Sequence, residues 1–240
     1  MGKKGEDLKP IDWYAKMPDK FKGGSTINKY KNYDKLHIEV PFRGLICGAP
    51  GSKKTNTLLT IITTINAWDH IIVFAKVPNQ PLYNFLKESM ETVAKNTNNK
   101  LDDVFMITDD VSKIPTDVTQ IPTKTLIVID DMQTENAATL RKISNLFCNS
   151  RSTGKSCIYI AQGYYATPKQ IRQCSDYIFF KRHASAKDLK LIMKEYVSGE
   201  EEEDEFKEYY DDVLKDPNNW VLIDTISTQP ERRIRLNFGV

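Results

Sequence analysis

Eight consecutive residues in the first quarter of the chain combine the groups that can hold a phosphate. They follow a predicted strand over 42–47 and precede an amphipathic helical pattern over 54–67. In such a bend, backbone N–H groups and the positive end of a helix surround a phosphate, while a lysine and a hydroxyl contact the phosphates and Mg²⁺. We therefore assign to nucleotide binding the residues Gly48, Ala49, Pro50, Gly51, Ser52, Lys53, Lys54 and Thr55.

Lys54 and Thr55 occupy the lysine and hydroxyl positions of this segment, which resembles a P-loop, whereas Lys53 departs from the pattern. A glycine usually precedes the phosphate lysine. We expect a side chain at residue 53 to crowd the start of the helix and to bring a second ammonium close to the phosphates. The first effect hinders nucleotide binding and the second favours it, so the balance stays open. The plainer alternative for the segment alone is a Gly/Pro turn between a strand and a helix.

Two acids, Asp130 and Asp131, follow the apolar run 126–129. Four apolar residues that end in acids are typical of a Walker B strand. In this interpretation Asp130 holds Mg²⁺ through water opposite Thr55, and Asp131 orients or deprotonates the attacking water. The alternative is an acidic turn after an ordinary parallel strand.

Three further polar residues are candidates for catalysis. Gln162 follows a predicted strand over 156–161, where an amide can sense the γ-phosphate or its water. Arg151 and Arg172 flank this strand, and in oligomeric P-loop motors an arginine from one subunit stabilises transition-state charge in the next. The alternatives are an ordinary strand end for Gln162 and surface or salt-bridge positions for the arginines.

The elements that must position these residues alternate between short apolar runs and helical patterns. We predict helices over 54–67, 80–94, 136–148, 168–174, 186–196 and 204–215. We predict strands over 42–47, 70–75, 104–107, 125–129, 156–161, 177–180, 220–223 and 234–238. Because Ile, Val and Phe occupy successive strand positions, both faces of the sheet are expected to be buried under helices. The predicted fold is α/β and doubly wound, with a mostly parallel sheet.

Charge is distributed unevenly along the 240 residues, although 34 Lys+Arg nearly balance 32 Asp+Glu. Nine acids and one lysine lie within 200–212, so the rest of the chain is basic. A basic body favours a polyanionic partner, although any single charged run is more simply a solvated surface. We predict a basic arm or lead-in over 1–40 and one domain over 41–240, with an acidic helix at about 200–215.

Composition and motif spacing argue against several other classes of protein. No run approaches the ~18 apolar residues of a membrane helix, and the chain starts without an apolar secretory segment, so we expect an intracellular protein that spans no membrane. Four cysteines without a C-x-x-C pair favour buried, reduced thiols, and three scattered histidines give no zinc pattern.

The order of these motifs resembles that of the poxvirus-type genome-packaging ATPases, which belong to the FtsK/HerA branch of P-loop motors. Among them, the chain is most similar to virophage-type ATPases. The similarity extends from about residue 41 to 238. Its most specific parts are 48–55, 127–131, Arg151-x4-Ser156-x5-Gln162, Pro168-x2-Ile171-Arg172 and Asp176-Tyr177-Ile178.

The resemblance implies a RecA-like P-loop NTPase of the ASCE class, with an extra strand between the P-loop and Walker B strands. It also implies a ring of five or six subunits that uses ATP and Mg²⁺ to move double-stranded DNA into a preformed capsid. Capsid vertex proteins are the implied partners, and the host cytoplasm (viral factory) or the capsid vertex is the implied location. The implied catalytic residues are Asp131 as the water-positioning acid, Gln162 as the sensor, Arg151 as the arginine acting in trans, and Arg172.

Two residues depart from the family pattern. Lys53 replaces the expected glycine, which argues against full ATPase activity. Ser152 replaces a histidine that often follows the first arginine, which weakens the assignment of Arg151. Two functions are alternatives to a packaging motor. One is another P-loop DNA translocase or helicase, and the other is a nucleotide-binding structural subunit whose turnover Lys53 has weakened. A switch GTPase is disfavoured because no N-K-x-D motif follows the Walker B run.

Overall fold

The computed structural model describes residues 12, 16–18, 30–183, 185–197 and 200–239, which form one eight-stranded sheet with helices on both faces. The strands are β1 (Arg43–Cys47), β2 (His70–Ala75), β3 (Phe105–Thr108), β4 (Thr125–Asp130), β5 (Ser156–Ala161), β6 (Tyr177–Phe180), β7 (Val221–Asp224) and β8 (Ile234–Leu236). The helices are α1 (Tyr33–Leu36), α2 (Lys54–Ile65), α3 (Pro81–Asn96), α4 (Leu101–Val104), α5 (Ala137–Ser150), α6 (Lys169–Cys174), α7 (Ala186–Tyr196), α8 (Glu200–Val213) and α9 (Pro230–Arg233). The predicted α/β fold is confirmed.

The strands lie in the order β3-β2-β4-β5-β1-β6-β7-β8. The first six strands in the chain pair in parallel, whereas β7 and β8 are antiparallel. β5 separates β1 from β4, so the extra strand expected between the P-loop and Walker B strands is present. Ile160 of β5 pairs with Ile46 on one side and Asp130 on the other, which brings three strand ends to the same level.

Both faces of the sheet are buried because successive strand residues contribute to two different cores. In β1, Leu45 packs with one core and Ile46 with the other, and in β4 Ile127 and Val128 divide in the same way. One core contains residues of α5 to α8 and the other contains residues of α1 to α3. Continuous apolar runs, rather than alternating ones, are what a sheet covered on both faces requires.

Residues 30–40 pack onto the domain, although they fall within the predicted lead-in. Leu36, Ile38 and Val40 are buried in the same core as α2, and the Glu39 N–H donates a 2.9 Å hydrogen bond to the Tyr177 hydroxyl. Three apolar side chains at the end of α1 and just after it explain this packing, because they bury their surface only by lying against the domain. Of the preceding residues, 1–11, 13–15 and 19–29 lie outside the described part of the chain.

Several predicted boundaries differ from the structure. The acidic helix spans Glu200–Val213 rather than 204–215, since glutamates extend a helix readily, and the last strand ends at Leu236 rather than 238. The helices α1, α4 and α9 were not predicted because four residues are too short to display a period.

The four cysteines are free thiols, but the expectation that all are buried is wrong for two of them. Cys148 and Cys174 are only partly buried, because α5 and α6 carry them towards the surface, whereas Cys47 and Cys157 lie in strands. Among the described residues, no helix is long and apolar enough to cross a membrane.

The amino-terminal edge of the sheet is held by one buried carboxylate, Asp176, which precedes β6. Its oxygens accept hydrogen bonds from the Arg43 guanidinium at 2.7 and 3.1 Å and from Arg151 Nη1 at 2.9 Å. The Arg43 backbone N–H adds a fourth bond of 2.8 Å. Arg151 also contacts Glu39 at 3.3 Å. Because the Asp176 side chain is 2% exposed, this network couples β1, β6 and the approach to β5 in a poorly solvated place.

We expect Asp176→Ala to lower the free energy of unfolding by about 3 kcal/mol, because it leaves two arginines without their buried partner. Asp69→Ala is the control, since it removes an exposed pair with Lys124 at 3.7 Å and is expected to change stability by less than about 0.5 kcal/mol. Urea denaturation followed by circular dichroism measures both variants. Equal stabilities would contradict the role assigned to Asp176.

Candidate nucleotide-binding site

The bend between β1 and α2 is shaped by two glycines. A Cβ on Gly48 would lie 2.7 Å from the Cβ of Lys181 and 2.8 Å from the Ser52 hydroxyl oxygen, so any larger residue would collide. Gly51 has φ 76°, which favours glycine. The Ala49 N–H donates to the Arg182 carbonyl at 2.7 Å. The bend is thereby tied to the segment that follows β6.

Lys54 lies folded back into this bend. Its Nζ donates to the carbonyl oxygens of Gly48 at 2.9 Å and Ala49 at 3.0 Å. Burial lowers the pKa of Lys54, and the nearby carboxylates of Asp130 and Asp131 oppose this shift. The ammonium therefore lies where its sequence position predicts, within the loop and near the acids at the end of β4.

Lys53 adopts the backbone conformation that a glycine would supply. Its φ of 60° and ψ of 37° are left-handed, and the residue immediately precedes α2. The side chain is exposed, and its Nζ donates to Asn218 Oδ1 at 3.0 Å. The exposed side chain reaches Asn218 and does not crowd the start of the helix, and its effect on nucleotide binding stays a prediction. The residue instead carries backbone strain of about 1 kcal/mol.

The acids that end β4 have different surroundings. Asp130 is buried, and its Oδ2 accepts a 2.7 Å hydrogen bond from the Tyr83 hydroxyl. Burial raises the pKa of Asp130. Asp131 is less buried, has φ 56°, and its Oδ1 accepts a 2.9 Å bond from Gln162 Nε2. The ends of β4 and β5 thus meet in a direct contact between two candidate catalytic side chains.

The groups in the bend fit a bound phosphate and Mg²⁺. The buried hydroxyl oxygen of Ser52 has no hydrogen-bond partner among the described residues, which marks a polar group available to a ligand. Thr55 and Asp130 offer the hard oxygen donors that Mg²⁺ prefers. No described group of three or more His, Cys, Asp or Glu side chains could hold a metal. Magnesium binding at Thr55 and Asp130 stays a prediction.

Two cavities flank the bend and share Gly51. One has a volume of about 260 Å³ and lies between the bend, Arg182 and the segment that connects α8 to β7. The other, of about 440 Å³, is lined by Lys54, Thr55 and Leu82 of α3, among others. The connecting segment and Leu82 are absent from the predicted site, because no motif marks them and only packing brings them here.

Neither candidate arginine lines these cavities. Arg151 lies at the opposite, amino-terminal edge of the sheet in the Asp176 network, and its side chain is 34% exposed. Arg172 forms a 2.7 Å ion pair with Glu195 and lies 5.1 Å from the centre of the Tyr164 ring. The structure thus brings together the bend, Asp130, Asp131 and Gln162 but not the arginines, whose roles stay predictions.

A phosphate-binding bend after β1, acids after β4 and a polar residue after the intervening β5 define a P-loop NTPase of the ASCE class. Residues 28–207 match the protein family described as Poxvirus A32 protein. This match covers well over half of the chain, which therefore belongs to that family, as its motif order predicts. The further similarity to virophage-type ATPases stays a prediction.

Solved structures share the fold at low sequence identity. The DNA-packaging ATPase B204 from Sulfolobus turreted icosahedral virus has a TM-score of 0.52 and 13% identity, over 83% of this chain and 98% of that one. The genome packaging NTPase B204 from Sulfolobus turreted icosahedral virus 2, in complex with sulfate, has a TM-score of 0.51 and 13% identity, over 85% and 98%. No curated protein matches the chain in a sequence comparison.

We expect Lys53→Gly to raise the free energy of unfolding by about 1 kcal/mol, because glycine adopts the left-handed conformation without strain. Lys53→Ala is the matched control, since it removes the bond to Asn218 but keeps the Cβ that causes the strain. Urea denaturation of the three proteins measures the difference. If the glycine variant were no more stable than the alanine variant, strain at this position would be excluded.

Proposed function

We propose that the chain is the ATP-driven motor subunit that moves double-stranded viral DNA into a preformed capsid. The observation that carries the proposal is the convergence of Lys54, Asp130, Asp131 and Gln162 at one edge of the sheet in a member of the Poxvirus A32 family. The genome packaging NTPase B204 from Sulfolobus turreted icosahedral virus 2, which shares the fold, has been solved in complex with ATP-gammaS and with AMPPCP, and this supports ATP as the substrate.

The residues of the bend bind and orient the triphosphate. Lys54 exchanges its two carbonyl acceptors for phosphate oxygens, and the Ser52 hydroxyl gains the partner that it lacks. Thr55 and Asp130 would hold Mg²⁺, which supplies positive charge for the β- and γ-phosphates. Tyr83 holds Asp130 in place through its hydroxyl.

Asp131 and Gln162 act on the attacking water. The water oxygen bonds to the γ-phosphorus, the bond to the ADP oxygen breaks, and Asp131 accepts the proton that the water loses. The 2.9 Å bond from Gln162 fixes the orientation of the Asp131 carboxylate before the substrate arrives. Preorganised groups of this kind need no rearrangement at the moment of reaction.

Our proposal includes a ring of five or six subunits in which Arg151 reaches the site of a neighbour. Its partial exposure supports this role, because one third of the side chain is accessible. Arg172 is more buried and would act through its pair with Glu195 at an interface. Capsid vertex proteins complete the assembly, so we place the protein in the host cytoplasm, within a viral factory, or at the capsid vertex, and not outside the cell.

DNA contact is proposed to involve phosphates rather than base edges, because a packaging motor must accept any sequence. The basic body of the chain supports this contact. The acidic helix α8 repels DNA and is therefore assigned to a face away from it, towards a capsid or partner subunit. Residues 1–40 are assigned as the basic lead-in of the motor domain, of which residues 30–40 pack against that domain.

We expect Asp131→Asn to reduce the ATPase rate 10²- to 10⁴-fold, because the asparagine cannot accept the proton, while ATP binding stays near wild type. Lys54→Ala should weaken ATP binding itself, and Lys124→Ala, at the opposite edge of the sheet, is the control. Phosphate release and the fluorescence of a bound ATP analogue separate the two effects. Undiminished hydrolysis by Asp131→Asn would contradict its assignment.

The same assays separate a motor from a weakened nucleotide-binding subunit. A motor hydrolyses ATP faster when duplex DNA is added. If both the wild type and Lys53→Gly bound ATP but neither hydrolysed it in the presence of DNA, the structural-subunit alternative would replace the motor. Strand displacement without duplex translocation would instead indicate a helicase.

We expect duplex affinity to fall as salt increases, with a slope of log affinity against log salt of about −0.9 for each phosphate contacted. Two duplexes of unrelated sequence should bind equally well. Fluorescence anisotropy over a range of salt concentrations measures both properties. A duplex affinity that does not change with salt concentration would contradict the proposed phosphate contact.

A further inference from the structure

Lys181, a buried lysine outside the sequence motifs, connects helix α2 of the proposed nucleotide site to the segment that follows α8. Lys181 follows β6, is 1% exposed, and donates from Nζ to Thr57 Oγ1 at 3.2 Å and to the carbonyls of Pro217 and Asn218 at 3.0 and 3.2 Å. Thr57 lies in the first turn of α2, three residues after Lys54. Pro217 and Asn218 belong to the segment 214–219, which leads from α8 to β7. One ammonium therefore joins the helix that carries the phosphate lysine to a distant part of the chain.

The position of Lys181 is fixed by close packing. Its N–H donates to the Cys47 carbonyl at 2.9 Å, and its Cβ lies where a side chain at Gly48 would collide. Its ammonium lies 5.9 Å from the centre of the Trp220 ring. A movement of this residue would therefore displace either the start of the bend or the wall opposite it.

The charge of Lys181 is costly in this place. The three oxygens that it contacts are neutral, and burial together with the charges of Lys53 and Lys54 lowers its pKa to about 8, against the attraction of Asp216. A buried cation without a carboxylate partner is unfavourable. A triphosphate in the neighbouring bend brings negative charge that offsets this cost, so the burial of the ammonium favours the nucleotide-bound state.

The segment held by Lys181 forms a wall of the 260 Å³ cavity. Leu214, Pro217 and Asn219 line one side, and Gly51 and Ser52 of the bend line the other. Phosphates bound by the backbone of 48–55 leave this space for the remainder of the nucleotide. A second hydrogen bond connects the bend to this segment, because Asn218 Oδ1 accepts from Lys53 Nζ at 3.0 Å.

We propose that Lys181 is a positioning residue that fixes the segment 214–219 as the wall of a subsite for the base and ribose of the nucleotide. The proposal rests on ATP binding at the bend. Because the Lys181 ammonium bonds Thr57, Pro217 and Asn218, its role is assigned to the wall and to the first turn of α2 and not to the reacting phosphate. Loss of the residue should therefore weaken nucleotide affinity more than it slows the chemical step.

Lys181→Met tests this role, because methionine fills a similar volume without the charge and the three donor bonds. We expect the affinity for a fluorescent ATP analogue to fall about 10-fold and KM for ATP to rise to the same extent, with kcat changed less than about twofold. Lys124→Met is the control, since Lys124 is exposed at the opposite edge of the sheet, lines neither cavity of the bend and forms an ion pair with the exposed Asp69. Its affinity should stay near wild type.

Hydrogen exchange of the backbone amides supplies a second readout that needs no activity. Without nucleotide, Lys181→Met should exchange faster at Asn218 and Asn219 than the wild type, and the ATP analogue should protect these amides in the wild type. Unchanged affinity and unchanged exchange in Lys181→Met would overturn the proposal while leaving the motor intact. If the wild type itself bound no ATP, the proposed function would fail, and the exchange rates would still show whether Lys181 holds the wall.

Discussion

The parallel pairing of β5 with both β1 and β4 is the constraint on which the site depends. Its register places Ile160 beside Ile46 and Asp130, so three chain segments far apart in sequence end at the same level. The bond between Gln162 and Asp131 exists only because these ends are adjacent. Apolar residues on both faces of the strands lock this register, since a shift would misplace every side chain in two cores at once.

The two edges of the sheet handle buried charge in opposite ways. At the amino-terminal edge, Asp176 is surrounded by cationic partners and hydrogen bonds, which satisfies the charges and holds the strands together. At the carboxyl-terminal edge, burial lowers the pKa of Lys54 and Lys181 and raises that of Asp130. Burial therefore disfavours the charged form of each group. One edge is therefore built for stability and the other for a charged ligand.

The sequence predicts the central part of this site because its signals are local. The glycines and Lys54 adjoin one apolar strand, and Asp130 and Gln162 directly follow two others, so strand order alone brings them together. Lys181 carries no such signal, since its role depends on a segment more than thirty residues later that returns beside the bend. Tyr83 likewise carries no signal in the sequence, because its contact with Asp130 depends on how α3 packs on the sheet.

Asp176 is shared unequally between two arginines. Arg43 holds this carboxylate with its side chain and its backbone N–H, whereas Arg151 contributes a single contact and is partly accessible to solvent. If Arg151 turns outward, Asp176 keeps most of its hydrogen bonds and is not left stranded in the interior. Arg151 can therefore leave Asp176 while that carboxylate keeps three hydrogen bonds from Arg43, although Arg151 also gives up its contact with Glu39. In the proposed ring, this would make Arg151 available to a neighbouring subunit.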